Sequence, residues 1–210
     1  MFNLRTILLL CVLFPSLGYG NANIVIVGDS LSAGFGLERD EVWVELLEER
    51  LNTKNLPYSI INASISGETT AGGRQRLPAL IKNHSPSIVI IALGGNDGLR
   101  GLSLKTISSN LETMIKLCQS SNVDVLLVGI RLPPNYGPHY TRLFSQIYSD
   151  IAKQKNVPLV PSLLSGLEDN FDLFQADGIH PKANAQPILL ENVWQALQPL
   201  LNQDVTLSLK

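Results

Sequence analysis

The chain alternates between short runs of β-branched or aliphatic residues and longer stretches in which apolar residues recur every three to four positions. The first run, Ile24-Val25-Ile26-Val27, has no polar interruption and ends at Gly28, the pattern of a strand buried on both faces. Trp43, Leu46, Leu47 and Leu51 then mark one face of a helix that Asp40 is placed to cap. Tyr58 to Ile61 reads as a second strand, followed by a helix over 70–83 that buries Leu77, Leu80 and Ile81. Ile88 to Leu93 is a third strand without polar residues. The clearest helical stripe comes next, through Leu104, Ile107, Leu111, Met114, Ile115 and Cys118. Val123 to Ile130 predicts a fourth strand, Leu143, Phe144, Ile147 and Ile151 a fourth helix, and Pro158-Leu159-Val160 a short fifth strand. A last helix carries Leu189, Val193, Leu197 and Leu200, and a polar tail follows from about residue 202.

Repeated β-α units of this length need crossover connections, hence a parallel sheet with helices on both faces. The expectation is a single α/β domain over 23–210, in three α/β/α layers, with neither internal repeat nor linker. In such sheets ligands bind beyond the carboxyl ends of the strands, near the switch in strand order. Four segments occupy those places: Gly28-Asp29-Ser30-Leu31-Ser32, Ser64-Ile65-Ser66-Gly67-Glu68, Gly94-Gly95-Asn96-Asp97-Gly98 and Asp177-Gly178-Ile179-His180-Pro181. Glycine and small polar residues concentrate in all four.

The segment before the first strand follows neither pattern. Arg5 is followed by the apolar run Ile7 to Phe14, a break at Pro15-Ser16 and the small-residue stretch Gly18 to Ala22. That is the layout of a signal peptide over residues 1–22, cleaved after Ala22, and it implies a periplasmic or extracellular protein. The run is shorter than the roughly 20 apolar residues of a membrane span, so no stable membrane anchor is expected. Leu10 is too bulky for the position before a lipid-bearing Cys11. Cleavage leaves Cys118 without a disulfide partner, and its place on an apolar stripe reads as a buried structural thiol.

Sixteen basic and 18 acidic residues give a net charge of −2, which excludes a basic nucleic-acid surface. Three scattered histidines offer no metal-ligand spacing, so neither metal nor other cofactor is expected, and the chain is expected to act as a monomer.

The chemistry then rests on ordinary side chains. Ser30 lies just beyond the first strand, and a serine hydroxyl needs a base to become a nucleophile. Of His84, His139 and His180, only His180 has a carboxylate nearby, Asp177, three residues earlier and separated by Gly178. One short loop could deliver both base and orienting acid; the same spacing also suits an Asx turn, or a helix start at Pro181. His84 and His139 read as surface residues. Acyl transfer also needs donors for an oxyanion, and Gly67 and Asn96 follow strands two and three. With strand order 2-1-3-4-5, Ser30, Gly67 and Asn96 would converge; otherwise Gly67 supplies a turn and Asn96 closes a loop. Asp97 is expected to bond backbone N–H groups in its own loop. The segment Gly98 to Ser103 is expected to be mobile and to border an acyl pocket through Leu99 and Leu102.

The four blocks together resemble the SGNH hydrolases, also called the GDSL lipase/esterase family. Ala63 to Gly67, Leu93 to Gly101, Arg131-Leu132-Pro133 and Asp177 to Pro181 are similar to its bacterial periplasmic thioesterase, arylesterase and lysophospholipase type. The resemblance covers roughly residues 23–200. It implies a five-stranded sheet of flavodoxin-like order 2-1-3-4-5. It also implies Ser30 as nucleophile, His180 as base, Asp177 as its orienter, and an oxyanion hole from the Ser30 and Gly67 N–H groups and the Asn96 amide. The implied substrate is a small-molecule acyl ester or thioester. A carbohydrate O-deacetylase uses the same centre, and a non-catalytic ligand-binding relative is the rival from another class. Ser32 stands where a Gly-x-Ser-x-Gly elbow would have its last glycine, which argues against an ordinary α/β-hydrolase.

Overall fold

The computed structural model describes residues 21–168 and 170–207. Five strands, β1 (Ala22–Gly28), β2 (Tyr58–Asn62), β3 (Ile88–Ala92), β4 (Asp124–Val128) and β5 (Leu159–Val160), form one parallel sheet in the order β2-β1-β3-β4-β5. The sequence explains which strands are central. From Ile24 onward β1 is buried, and so is all of β3, whereas β2 and β5 at the edges keep partly exposed residues. Each buried Ile or Val in the central strands contributes about 1.5–3 kcal/mol over its exposed state.

Among the described residues seven α-helices connect and cover the strands: α1 (Ser30–Ala33), α2 (Trp43–Thr53), α3 (Thr70–His84), α4 (Gly95–Leu99), α5 (Leu104–Ser120), α6 (Pro138–Lys155) and α7 (Gln186–Leu207). Helices α2 and α7 pack together on one face, and α3, α5 and α6 in sequence on the other. The α5 stripe of Ile107, Leu111, Met114, Ile115 and Cys118 is wholly buried, and burial pushes the Cys118 thiol up to about 12.

Several local expectations need correction. Asp40 caps nothing: it lies inside a 3-10 turn, Arg39–Glu41, in which the Glu41 carboxylate accepts from the Glu38 N–H at 3.0 Å, and α2 begins at Trp43. Of the three apolar residues expected to be buried on α3, Leu77 is fully buried, with Leu80 and Ile81 half-covered. Helices α1 and α4 are too short to show a period in the sequence. The expected tail from residue 202 continues α7 as helix through Leu207. The signal-peptide segment falls outside the described residues up to residue 20, while Ala22 already belongs to β1 and pairs with Tyr58.

Asp97 also behaves differently from expectation. It is 1% exposed and reaches across to α3, accepting from the Thr70 N–H at 2.9 Å and the Thr70 hydroxyl at 2.6 Å. Asn110 of α5 donates to the same hydroxyl at 3.0 Å, so one buried network joins α4, α3 and α5. Replacing Asp97 by Ala would orphan the Thr70 N–H, at a cost of about 1–3 kcal/mol for that group alone. Urea unfolding of Asp97→Ala should show a lower midpoint at unchanged slope. A midpoint equal to the wild type would mean that the network contributes nothing.

Candidate active site

β1 ends at Gly28, and Asp29 caps α1 by accepting from the Leu31 N–H at 3.1 Å. Ser30 is therefore the first residue of a one-turn helix at the carboxyl end of a central strand. Two bonds brace this turn from opposite sides. The Trp43 indole N–H donates to the Leu31 carbonyl at 3.1 Å, and the Asn62 amide donates to the Ser32 carbonyl at 2.8 Å.

His180 comes from the other end of the chain. After β5 the backbone turns back towards β1. The Leu163 N–H donates to the Gly129 carbonyl, and the Asn192 amide of α7 donates to the carbonyls of Leu163 and Ser165. A bridge between Phe174 and Pro181 then closes a tight loop. Inside it Asp177 has two tasks. Its Oδ1 accepts from the Ile179 and His180 N–H groups at 2.9 and 3.0 Å, while Oδ2 faces His180 Nδ1 at 2.7 Å. The Asx turn and the acid–imidazole pair thus coexist. His180 Nε2 lies 2.8 Å from Ser30 Oγ. Pro181 does not open the last helix; a 3-10 turn, Ala183–Ala185, precedes α7.

Gly67 and Asn96 reach the same place from the flanking strands. Gly67 has φ +78°, and its carbonyl accepts from Arg100 at 3.1 Å. Arg76 holds the rest of this loop through an ion pair with Glu68 and a bond to the Ala63 carbonyl. Gly94, at φ +119°, turns the chain from β3 into α4, and a Cβ there would strike the Tyr148 hydroxyl. Ser30, Gly67, Asn96 and His180 all line one cleft of about 1200 Å³.

The cleft continues past Leu99, Ile130, Leu132, Pro133, Leu164 and Phe174. Leu99 lines this cleft, whereas Leu102 is 40% exposed and stands outside the lining. The segment around them is tied down. The Tyr136 hydroxyl donates to the Leu99 carbonyl at 2.8 Å, Tyr140 donates to that of Leu102 at 3.0 Å, and Gly98 is buried against Leu132 and Phe144. His139 is exposed beside Arg142, and His84 is half-buried at the end of α3, both apart from the cleft lining.

Three contributors had no sequence signal of their own. Phe35 stacks on the His180 ring with centroids 4.5 Å apart. The Gln175 amide donates to the Phe35 carbonyl at 2.8 Å, joining the loop after α1 to the His180 loop. Asp29 Oδ2 accepts from the Asn96 amide at 3.2 Å. The position of Asp29 beside Ser30 was the one available hint.

The two carboxylates around Ser30 are shifted in opposite directions. Burial would raise the Asp177 pKa, but the N–H groups of His180 and Ile179 and the His180 ring outweigh it and lower the carboxyl from 3.8 to about 2. For Asp29 burial wins over the bonds from Leu31 and Asn96 and the pull of His180, and lifts it to about 6. Among the described residues no cluster of three or more His, Cys, Asp or Glu side chains forms that could hold a metal.

The sequence profile of the GDSL-like Lipase/Acylhydrolase family matches residues 26–186. The esterase TesA of Pseudomonas aeruginosa is 49% identical over 178 residues, which cover 85% of this chain and 89% of that one. The Thioesterase 1/protease 1/lysophospholipase L1 of Escherichia coli is 42% identical over 181 residues, or 86% of each chain. The crystal structure of the psychrotrophic esterase EstA from Pseudoalteromonas sp., inhibited by monoethylphosphonate, superposes with a TM-score of 0.82 at 38% identity, covering 87% of this chain and 100% of that one. The match spans the sheet and all four loops around the cleft, and the chain belongs to the GDSL-like lipase/acylhydrolase family, the SGNH hydrolases.

Proposed function

We propose that this protein hydrolyses carboxylic ester and thioester bonds of acyl substrates through an acyl-enzyme on Ser30. The observation that carries this reading is the unbroken chain from Ser30 Oγ through the His180 ring to Asp177, with contacts of 2.8 and 2.7 Å. His180 Nε2 takes the hydroxyl proton as Ser30 attacks the carbonyl, then passes it to the departing alcohol or thiol. Asp177, held ionised, fixes the tautomer that leaves Nε2 free to accept, and stabilises the imidazolium that forms. Water, deprotonated by the same ring, then releases the acid.

The developing oxyanion is met by the Ser30 and Gly67 N–H groups and the Asn96 amide. As first residue of α1, Ser30 has an N–H without an intrahelical acceptor. The cleft wall also carries Arg131, Arg142 and Glu168, but Leu99, Ile130, Leu132, Pro133 and Leu164 give it a continuous apolar part. That part favours an acyl chain over a sugar ring, and so an esterase, thioesterase or lysophospholipase over a carbohydrate deacetylase. The relatives named esterase and thioesterase support the same choice. Residues 1–22 would direct the enzyme across the inner membrane to the periplasm, where it would act as a monomer.

An organofluorophosphate should label Ser30 and abolish activity on a p-nitrophenyl ester; label on another serine with the same loss would overturn the assignment. Asn96→Ala should lower kcat by about 10²–10³, or about 2.7–4 kcal/mol, with KM little changed. Steady-state kinetics on a preparation of normal Tm checks this, and a near-normal kcat removes Asn96 from the hole.

Asp177 also has a linkage consequence. Its folded pKa of about 2 lies below the ordinary 3.8, so the unfolded state binds more protons between those values. Its stabilising contribution is present above about pH 4 and fades as pH falls towards 2. Asp177→Asn should therefore show a shallower acid loss of urea midpoint than wild type. Parallel curves would show that the carboxylate is not held as described.

A further inference from the structure

We propose that Asp29 is a positioning residue for the oxyanion site: its carboxylate turns the Asn96 amide so that nitrogen, not oxygen, faces the reacting carbonyl. The proposal rests on Asn96 being an oxyanion donor, as argued above.

Asp29 is 2% exposed, and each of its oxygens meets one donor. Oδ1 accepts from the Leu31 N–H at 3.1 Å, and Oδ2 accepts from Asn96 Nδ2 at 3.2 Å. A carboxylate has acceptors only, whereas a primary amide presents two N–H groups on one side and a carbonyl on the other. Asn96 can therefore meet Asp29 only through its NH₂, which leaves the second N–H to point into the cleft. The opposite rotamer would set two oxygens against each other beside Ser30.

The charge itself calls for an explanation. A neutral Ser, Thr or Asn would cap α1 about as well as Asp does. Burial makes the charged form costly, as the raised pKa of this group records. What a neutral cap lacks is a second acceptor on the same side chain. Asp29 supplies one acceptor to the helix carrying Ser30 and one to the residue arriving from β3.

The substitution that separates this role from simple capping is Asp29→Asn. An Asn there has one acceptor oxygen; if it keeps the Leu31 N–H, its NH₂ faces Asn96 and forces that amide to turn its oxygen inward. A double-mutant cycle over wild type, Asp29→Asn, Asn96→Ala and the double variant reads the coupling. Asp29→Asn should lower kcat on a short p-nitrophenyl ester by about 10²-fold, the scale of a lost oxyanion donor, with KM and Tm nearly unchanged. In the Asn96→Ala background the same change should cost less than about threefold, because there is no amide left to orient. Losses that multiply fully would overturn the proposal and place the effect in α1. Asp29→Ser, which retains a cap but has a single short hydroxyl, gives a second reading: it should fall in kcat like Asp29→Asn, and wild-type kcat would overturn the proposal too. Failure of an organofluorophosphate to label Ser30 in the wild type would instead defeat the acyl-enzyme reading, a result distinguishable from either.

Discussion

The backbone pairing of β1 with β2 on one side and β3 on the other is the constraint on which the site depends. The registers set Ile26 against Asn62 and Gly28 against Ala92, so three strands end within a few residues of one another. Parallel strands all deliver their following loops to one end of the sheet. Ser30, Gly67 and Asn96, separated widely in sequence, therefore start from adjacent strand ends. Small residues keep those starts close: Gly28 is surrounded by Ser32 and Ser64, and Gly94 lies against the Tyr148 hydroxyl.

Strand pairing cannot deliver His180, because β5 lies at the far edge beyond β3 and β4. The long return path solves this with anchors at intervals. Leu163 and Leu167 are buried, Asn192 of α7 holds the early turns, and Gln175 joins the late turn to Phe35. Position and tautomer then come from one residue. Asp177 uses one oxygen to shape the backbone turn and sets the other against the imidazole, so the bond that forms the turn also places the carboxylate beside the ring. Phe35 packs against the imidazole and limits its swing.

The layered fold was legible because its signals are local. The uninterrupted apolar runs of β1 and β3 and the stripe of α5 are periodic patterns, and each maps onto an element within a residue or two. Failures cluster where a tertiary partner decides. Asp40 looked like a cap, but the turn before α2 is closed by Glu38 and Glu41. Asp97 was expected to bond its own loop, yet its partner Thr70 lies 27 residues away. The loop with Gly98 and Gly101 looked pliant; Gly98 is small because Leu132 and Phe144 crowd it, and two tyrosine hydroxyls hold the neighbouring carbonyls. A glycine required by packing and one required by flexibility are the same letter. Likewise, adjacency in sequence marked Asp29 as close to Ser30 but could not show that its second oxygen meets Asn96.

Two buried carboxylates, Asp29 and Asp97, flank the turn that carries Asn96, and both reach out of their own segment. Asp97 spends both oxygens on Thr70 and so couples the start of α3, just after the Gly67 loop, to α4. Asp29 divides its oxygens between α1 and Asn96. Together they link the loops after β1, β2 and β3 by bonds that neither strand pairing nor apolar packing supplies. Burying such charges costs free energy even when each oxygen is matched, a cost that neutral side chains at these positions would avoid. On the oxyanion reading proposed above, these bonds would fix the distances among Ser30, Gly67 and Asn96 before substrate arrives, and donors that must reorganise during the reaction lose much of their effect.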